Sequence, residues 1–213
     1  KKRVLLVRQI MLEKEKSYRT KLIKKINIFL TVFLIFFLST VNVLADLREE
    51  LINKLILTKT LSFDFKQKVE EKEEMGNCFI KYPLLMRCNY TNFKGKILIS
   101  NGKTVAIIKK KYKKIYFYPL KKTPLIIVLD KKKILKLIKK SQPSSIDSNT
   151  IAFEFLDKNL SKLKIIFDKK TLNLKGWETK DAYSNAVSFK MVNLKINNQI
   201  VDDFFKIPKE DDL

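Results

Sequence analysis

Cys78 and Cys88 are the residues of this 213-residue chain with the sharpest chemistry of their own. They are its only cysteines, ten residues apart in "NCFIKYPLLMRCNY". Two thiols at that spacing are open to oxidation to a disulfide, provided the fold holds them face to face. The alternative is a pair of small apolar side chains in a buried lining. A structural metal site is not expected, because the chain contains no His to complete a ligand set. The same absence removes His-based triads, His acid–base chemistry and HExxH metal sites. Gly76, Gly95, Gly102 and Gly176 each stand alone, so no glycine-rich phosphate loop exists. Nothing supplies a general base with a partner; the expectation is neither an enzyme nor a cofactor protein.

The segment holding the cysteines reads as a hairpin turning at Pro83. Pairing about that turn sets Cys78 opposite Cys88 and Ile80 opposite Met86 on one face, with Arg87 and Asn89 on the other. Before it, "LSFDFKQKV" alternates Leu61, Phe63, Phe65 and Val69 against Ser62, Asp64, Lys66 and Lys68. After it, "ILISNGKTVAII" is a second hairpin whose Asn101-Gly102 is a strong turn signal, and "KIYFYPL" is a further strand. A helix is predicted over 46–58, with a stripe of Leu47, Leu51, Ile52, Leu55 and Ile56 and a capping box of Asp46 and Glu49. Thr123 and Pro124 suit N-cap and N1 of a helix, or two short ones, in "PLIIVLDKKKILKLIKK". A polar loop follows, then strands over 150–157, 161–168, 171–179, 185–196 and 200–207. Such a sheet, of roughly nine strands, must curl or be covered. The expected class is α+β, mostly β: a curled antiparallel sheet with helical cover. A concave apolar surface and a filled core both fit the pattern.

The stretch "KLIKKINIFLTVFLIFFLSTVNVLAD" sets the compartment. Lys21, Lys24 and Lys25 precede the apolar run Ile26 to Leu38, and Val43 and Ala45 occupy the −3 and −1 positions before Asp46. That is a secretory signal over 21–45, shorter than the ~20 apolar residues of a spanning helix; an uncleaved anchor is the alternative. Residues 1–20 are expected to be an extension without structural role, leaving 46–213 as the domain. Asp46, not Cys, follows the cleavage point, so a soluble exported product is expected, without a lipid anchor. Lys and Arg number 45 against 22 Asp and Glu, a formal charge of +23, and the mature part keeps 35 against 20. The lysines read as scattered over solvated faces, with no aromatic RNP-type motif, so nucleic acid is not an expected partner. A monomer is expected.

Taken in order, five pieces resemble the LolA family of periplasmic lipoprotein carriers. "FDFKQ" is similar to its Phe-x-x-Phe-x-Gln strand, with Gln67 at the Gln position when read from Phe65. "GNCFIKYPLLMRCNY" resembles its next hairpin through Gly76, Pro83, Arg87 and Tyr90. "ISNGKTVAI" resembles the Val-Ser-Asp-Gly-Lys turn, "YPLKKTPLIIVL" the start of the lid, and "LNLKGWETKDAYSNAVSF" with "FFKIP" the family's ending. The resemblance covers about 46–208. It implies an incomplete, unclosed β-barrel covered by a helical lid, with an apolar cavity for a lipoprotein's acyl chains. Implied partners are acylated lipoproteins, the inner-membrane ABC transporter that releases them, and an outer-membrane lipoprotein receptor. One departure stands out. Members often carry Arg before the hairpin Pro, where it hydrogen-bonds the lid; here that position is Tyr82, and alternation puts Arg87 on the other face.

On this basis Phe63, Phe65, Ile80, Tyr82, Met86, Tyr90, Ile97 and Ile99 are the candidates for the lipid-binding face, and Pro124, Leu125, Val128 and Leu129 for the lid. Ordinary core packing is the alternative for each. Choosing Ile97 and Ile99 over Leu98 is the register-sensitive step, since a slip of one residue exchanges the faces. A second functional reading is a periplasmic lipid-binding or envelope-sensing protein of the same fold that does not ferry lipoproteins. A third is a membrane-anchored basic protein that binds nucleic acid or anionic lipid.

Overall fold

The computed structural model describes residues 18–31, 33, 47–91, 95–157, 160–180 and 184–213. The chain divides into two compact units, Lys1–Leu47 and Arg48–Leu213. In the first, 18–31 is helical, and Thr31 donates its hydroxyl proton to the Asn27 carbonyl. Among the described residues no helix is long and apolar enough to cross a membrane. The expected cleavage point and the capping residue Asp46 lie outside the described residues.

The second unit is built on one antiparallel sheet of eleven strands, ordered β6-β5-β4-β3-β2-β1-β11-β10-β9-β8-β7. In chain order these are β1 (Thr60–Val69), β2 (Lys72–Lys81), β3 (Leu85–Tyr90), β4 (Lys96–Asn101), β5 (Thr104–Lys109) and β6 (Lys114–Pro119), then β7 (Ser145–Ile146), β8 (Thr150–Asp157), β9 (Leu160–Asp168), β10 (Leu174–Lys180) and β11 (Ala186–Ile196). The sheet is not closed: β6 and β7 are its two edges. Strands consecutive in the chain are neighbours in the sheet except β6 and β7, so the sheet is two meanders joined where β1 pairs with β11. Helix α1 covers 47–57, and α2 (Leu125–Leu129) and α3 (Lys131–Lys140) lie in the connection between the two edges.

Local chemistry explains the helices. In α1, Leu51, Ile52 and Leu55 are buried as the stripe predicts, whereas Ile56 is exposed, because the chain leaves the helix one residue later. Helix α2 starts at Leu125, with Pro124 as its N-cap, one residue later than the Thr123 cap predicts. Its residues Ile126 to Leu129 are all buried. Asp130 then breaks the helix and caps α3, accepting the Lys132 amide proton at 3.0 Å. In α3, Ile134, Leu137 and Ile138 face inward and the lysines outward.

The strand expected over 200–207 does not form. Asn197, in the left-handed region (φ 60°), turns the chain off β11 and accepts the Lys59 amide proton at 2.7 Å. The segment after it crosses the outer face of β2–β6 as a strap. Lys81 holds the Ile200 carbonyl and Asp202, and Phe204 packs on Phe79 while accepting from Arg87 at 3.0 Å. Phe205 is buried, and Ile207 and Leu213 pack on Ile97, Ile99, Ala106, Ile108 and Ile115. An apolar outer face needs a cover, and consecutive phenylalanines on one surface suit a strap better than an alternating strand.

Candidate functional site

Cross-strand pairing assigns each side chain to a face, since directly opposed residues point the same way. Phe63, Cys78, Cys88, Leu98, Ile107 and Tyr116 form one row across six strands. Leu61, Ile80, Met86, Ser100, Val105 and Tyr118 form the next. Across the join, Gln67 leads through Phe189, Trp177 and Ile165 to Phe153. These rows make the inner face, on which the helices lie.

The row containing Arg87 continues instead into Ile99, and that containing Asn89 into Ile97. Ile97 and Ile99 are therefore outer-face residues under the strap, a correction to their expected place in the lining. Leu98 is the inner residue. Both faces of β4 are apolar here, so alternation alone left the register undecided.

A cavity of about 250 Å³ remains between the inner face and the start of α2. Met86, Cys88, Tyr90, Leu98 and Ile107 wall one side, Val187, Phe189, Trp177 and Thr179 the other, and Pro124 and Leu125 roof it. Of the residues expected in the lining, Met86 and Tyr90 reach the cavity, and of those expected in the lid, Pro124 and Leu125 do. Phe65 lies beside it, its ring 5.0 Å from both Tyr90 and Phe189. Phe189 stacks in turn on Trp177 at 4.0 Å, which continues the aromatic wall. Phe63 and Ile80 are buried on the same face outside the cavity wall. Val128 and Leu129 are fully buried in the packed underside of the lid.

Gly76 makes the aromatic wall fit. It stands between Phe65 and Tyr90 in the pairing, and a Cβ there would collide with the Asn89 carbonyl oxygen and lie 2.8 Å from the Phe65 ring. Gly176 does the same before Trp177: its φ is 155°, a Cβ there would collide with the Phe189 carbonyl oxygen, and the register shifts beside it between β9 and β10. Cys78 and Cys88 are joined as a disulfide, their Cα atoms 4.1 Å apart, tying β2 to β3 under the cavity.

The polar groups of the site sit at its rim. Lys96 pairs with Glu74 at 2.6 Å and lies 4.0 Å from the Tyr90 ring centroid, while Gln67 donates to the other Glu74 oxygen at 3.0 Å. Burial, followed by the Glu74 charge, pushes the Tyr90 hydroxyl well above the usual phenol range.

Tyr82 does not reach the cavity. It follows the last residue of β2 and makes a cis bond to Pro83, and Lys131 stands 5.4 Å over its ring. Its edge is partly exposed, but its hydroxyl is buried with no hydrogen-bond partner, and burial raises its pKa. The lid is tied down beside it by other groups. The Leu84 amide donates to the Leu129 carbonyl at 3.0 Å. Lys131 donates to the Thr58 and Ile56 carbonyls at the end of α1, at 2.8 and 3.1 Å. At the far end of α3, Arg48 donates to the Gln142 side-chain oxygen at 2.8 Å.

Among the apolar lining residues, Leu98, Ile107, Val187, Trp177 and Phe189 lie outside the prediction. The last two were visible as lone large aromatics in amphipathic strands; pairing them with Gln67 required the join between the first and last strands, which no local pattern encodes.

Solved structures align with the chain at low identity. An uncharacterized conserved protein from Thermus thermophilus is 12% identical, with a TM-score of 0.46 over 78% of this chain and 94% of that one. A LolA superfamily protein from Nitrosomonas europaea is 6% identical, with a TM-score of 0.42 over 77% and 97%. A putative outer membrane lipoprotein-sorting protein domain from Vibrio parahaemolyticus is 8% identical, with a TM-score of 0.44 over 76% and 94%. No curated protein matches the chain. The family model for outer membrane lipoprotein carrier protein LolA matches residues 57–208, from the end of α1 into the strap, and the chain belongs to the LolA family.

Proposed function

We propose that this protein is a periplasmic carrier that shields the acyl chains of lipoproteins in its inner-face cavity and moves them from the inner to the outer membrane. The reading is supported by the apolar cavity under the start of α2 in a chain of the LolA family. Each methylene kept from water is worth about 0.8 kcal/mol, so a bare acyl chain cannot cross the aqueous gap unescorted. The 250 Å³ present is below the ~300–1,000 Å³ of ordinary ligand pockets. The arrangement is thus a closed form, with the lid packed down on the inner face. Loading displaces Ile127, Val128 and Leu129 from the space they fill. The chain has no nucleotide-binding motif, so the work of loading falls to an ABC transporter in the inner membrane, and unloading to an outer-membrane receptor. Residues 21–45 serve as the export signal, and the role is binding without catalysis.

The small cavity also favours a second reading, a binder of free lipid with the same fold. Mass spectrometry of what copurifies from the periplasm separates the two. Triacylated protein supports the carrier, free glycerophospholipid the alternative, and no lipid of either kind refutes both. In a direct test, Ile107→Trp fills the cavity and lowers uptake of a fluorescent acyl probe at least tenfold; uptake equal to the parent chain overturns the assignment of this cavity.

A further inference from the structure

The free edge formed by β6 and its flanking turns concentrates charge that the sequence pattern scatters along the chain. From Lys109 to Lys122 the chain holds seven lysines and no acidic residue. One 3-10 turn, Lys110–Tyr112, precedes β6 and another, Leu120–Lys122, follows it, so lysines gather at both ends of the strand. Between them stand aromatic rings: Tyr112, Tyr116, Phe117 and Tyr118 are 62, 42, 58 and 46% exposed. Tyr116 and Tyr118 lie on the inner-face side of the pleat and Phe117 on the outer.

The edge is poorly made for pairing with another strand. Ile115 turns its amide outward, onto the Glu210 side chain at 3.0 Å. Alternation puts the Phe117 and Pro119 nitrogens outward as well, and Pro119 carries no hydrogen. Phe117 alone offers a free donor among these three positions, too little to template an added strand. A single-stranded nucleic acid platform presents its rings to one side, whereas these are split across the pleat. Rings on both sides of a narrow edge, with lysines at each end, match a layer of lipid headgroups. There aromatic side chains sit at the apolar–polar boundary and lysine stems reach phosphate. The nearest acids, Glu210 with Asp211 and Asp212, leave the edge net positive, and Glu210 is engaged with Ile115.

We propose that the β6 edge docks this protein on a bilayer surface rich in anionic phospholipid. This surface is separate from the cavity and stands whether or not the cavity carries lipoprotein. Near an anionic surface each lysine contributes about fivefold in affinity.

The test uses the full chain with Tyr112→Cys, labelled with a polarity-sensitive fluorophore; the disulfide leaves that thiol as the only reactive one. Vesicles containing phosphatidylglycerol shift the emission to the blue, pure phosphatidylcholine vesicles do not, and raising the salt reverses the shift. A label at Thr171→Cys, in the turn between β9 and β10, does not respond. Lys111→Glu, Lys114→Glu and Lys121→Glu together weaken the binding by about a hundredfold or more. No shift at position 112, an equal shift with phosphatidylcholine, insensitivity to salt, or full binding by the triple variant overturns the proposal. Displacement from vesicles by a single-stranded oligonucleotide at lower concentration overturns it in favour of nucleic acid.

Discussion

Replacing Lys131 by Met should loosen the lid while sparing the sheet. Lys131 opens α3 and bonds two carbonyls at the C-terminal end of α1, Thr58 at 2.8 Å and Ile56 at 3.1 Å, with the Tyr82 ring 5.4 Å away. A hydrogen bond from a charged donor contributes about 1.5–3 kcal/mol when shielded. A cation at a helix C-terminus adds about 0.3–1 kcal/mol. Lys131 is only half-buried, and desolvation followed by Lys59 lowers its pKa, so both figures are discounted. About 2 kcal/mol remains, which raises the population of lid-open molecules about 30-fold. Hydrogen exchange reads this directly. The Ile127 and Asp130 amides, bonded within α2 to Pro124 and Ile126, should exchange about 30-fold faster. So should the Leu84 amide, which sits in the β2–β3 turn but is bonded to Leu129. Amides of β2 and β3 flanking the disulfide should not change. Equal acceleration in the lid and in β2–β3 would show that Lys131 supports the whole unit, and no acceleration in α2 would show that it is not a tie; either result refutes the reasoning.

Three further outcomes concern Tyr82, Gly76 and the Cys78–Cys88 disulfide. Tyr82→Phe removes a buried hydroxyl without a partner and should stabilise the fold by about 1 kcal/mol in denaturant titrations. Burial raises the pKa of Tyr82 and Tyr90, so the folded chain keeps protons that the unfolded chain releases near pH 10. Stability is full below that pH and falls as the pH rises above it, and Tyr82→Phe should make the fall shallower. Gly76→Ala forces a Cβ against the Asn89 carbonyl and the Phe65 ring and should cost about 3 kcal/mol or more, with loss of the near-ultraviolet aromatic signal. Replacing Cys78 and Cys88 together by Ser opens a loop of sequence separation 10 and should lower stability by about 3 kcal/mol, measured by the shift in denaturant midpoint.

The legible parts of the fold were those with a single apolar face. In β1 the alternation of Phe63 and Phe65 with Asp64 and Lys66 marks strand and face together, and a turn at Pro83 fixes the pairing of Cys78 with Cys88. Gly102 announced the next hairpin. Illegibility began where a second surface is buried. Residues 97–99 are apolar without a break because the inner face meets the cavity and the outer face meets the strap, so no alternation survives to be read. The strap itself, with Phe204 beside Phe205, resembled a strand because its apolar content is that of a strand; its surface is a sheet face instead of a sheet edge. The cavity wall was half legible for a related reason. Tyr90 and Met86 belong to a hairpin with a local signal, while Trp177 and Phe189 meet them only through the long-range pairing of β1 with β11. The missing Arg before Pro83 was plain in the sequence, but the use of Lys131 beside Tyr82 depends on where α3 lands after the lid turns.

Trp177 gives the molecule an optical voice. It is the only tryptophan in the chain, its indole is stacked on Phe189, and it forms part of the cavity wall. Emission from this protein therefore comes from the wall that a guest would touch. Brominated hydrocarbon entering there would quench the indole on contact, and unstacking from Phe189 would change its spectrum, so filling and emptying can be timed in the native chain without attaching a dye.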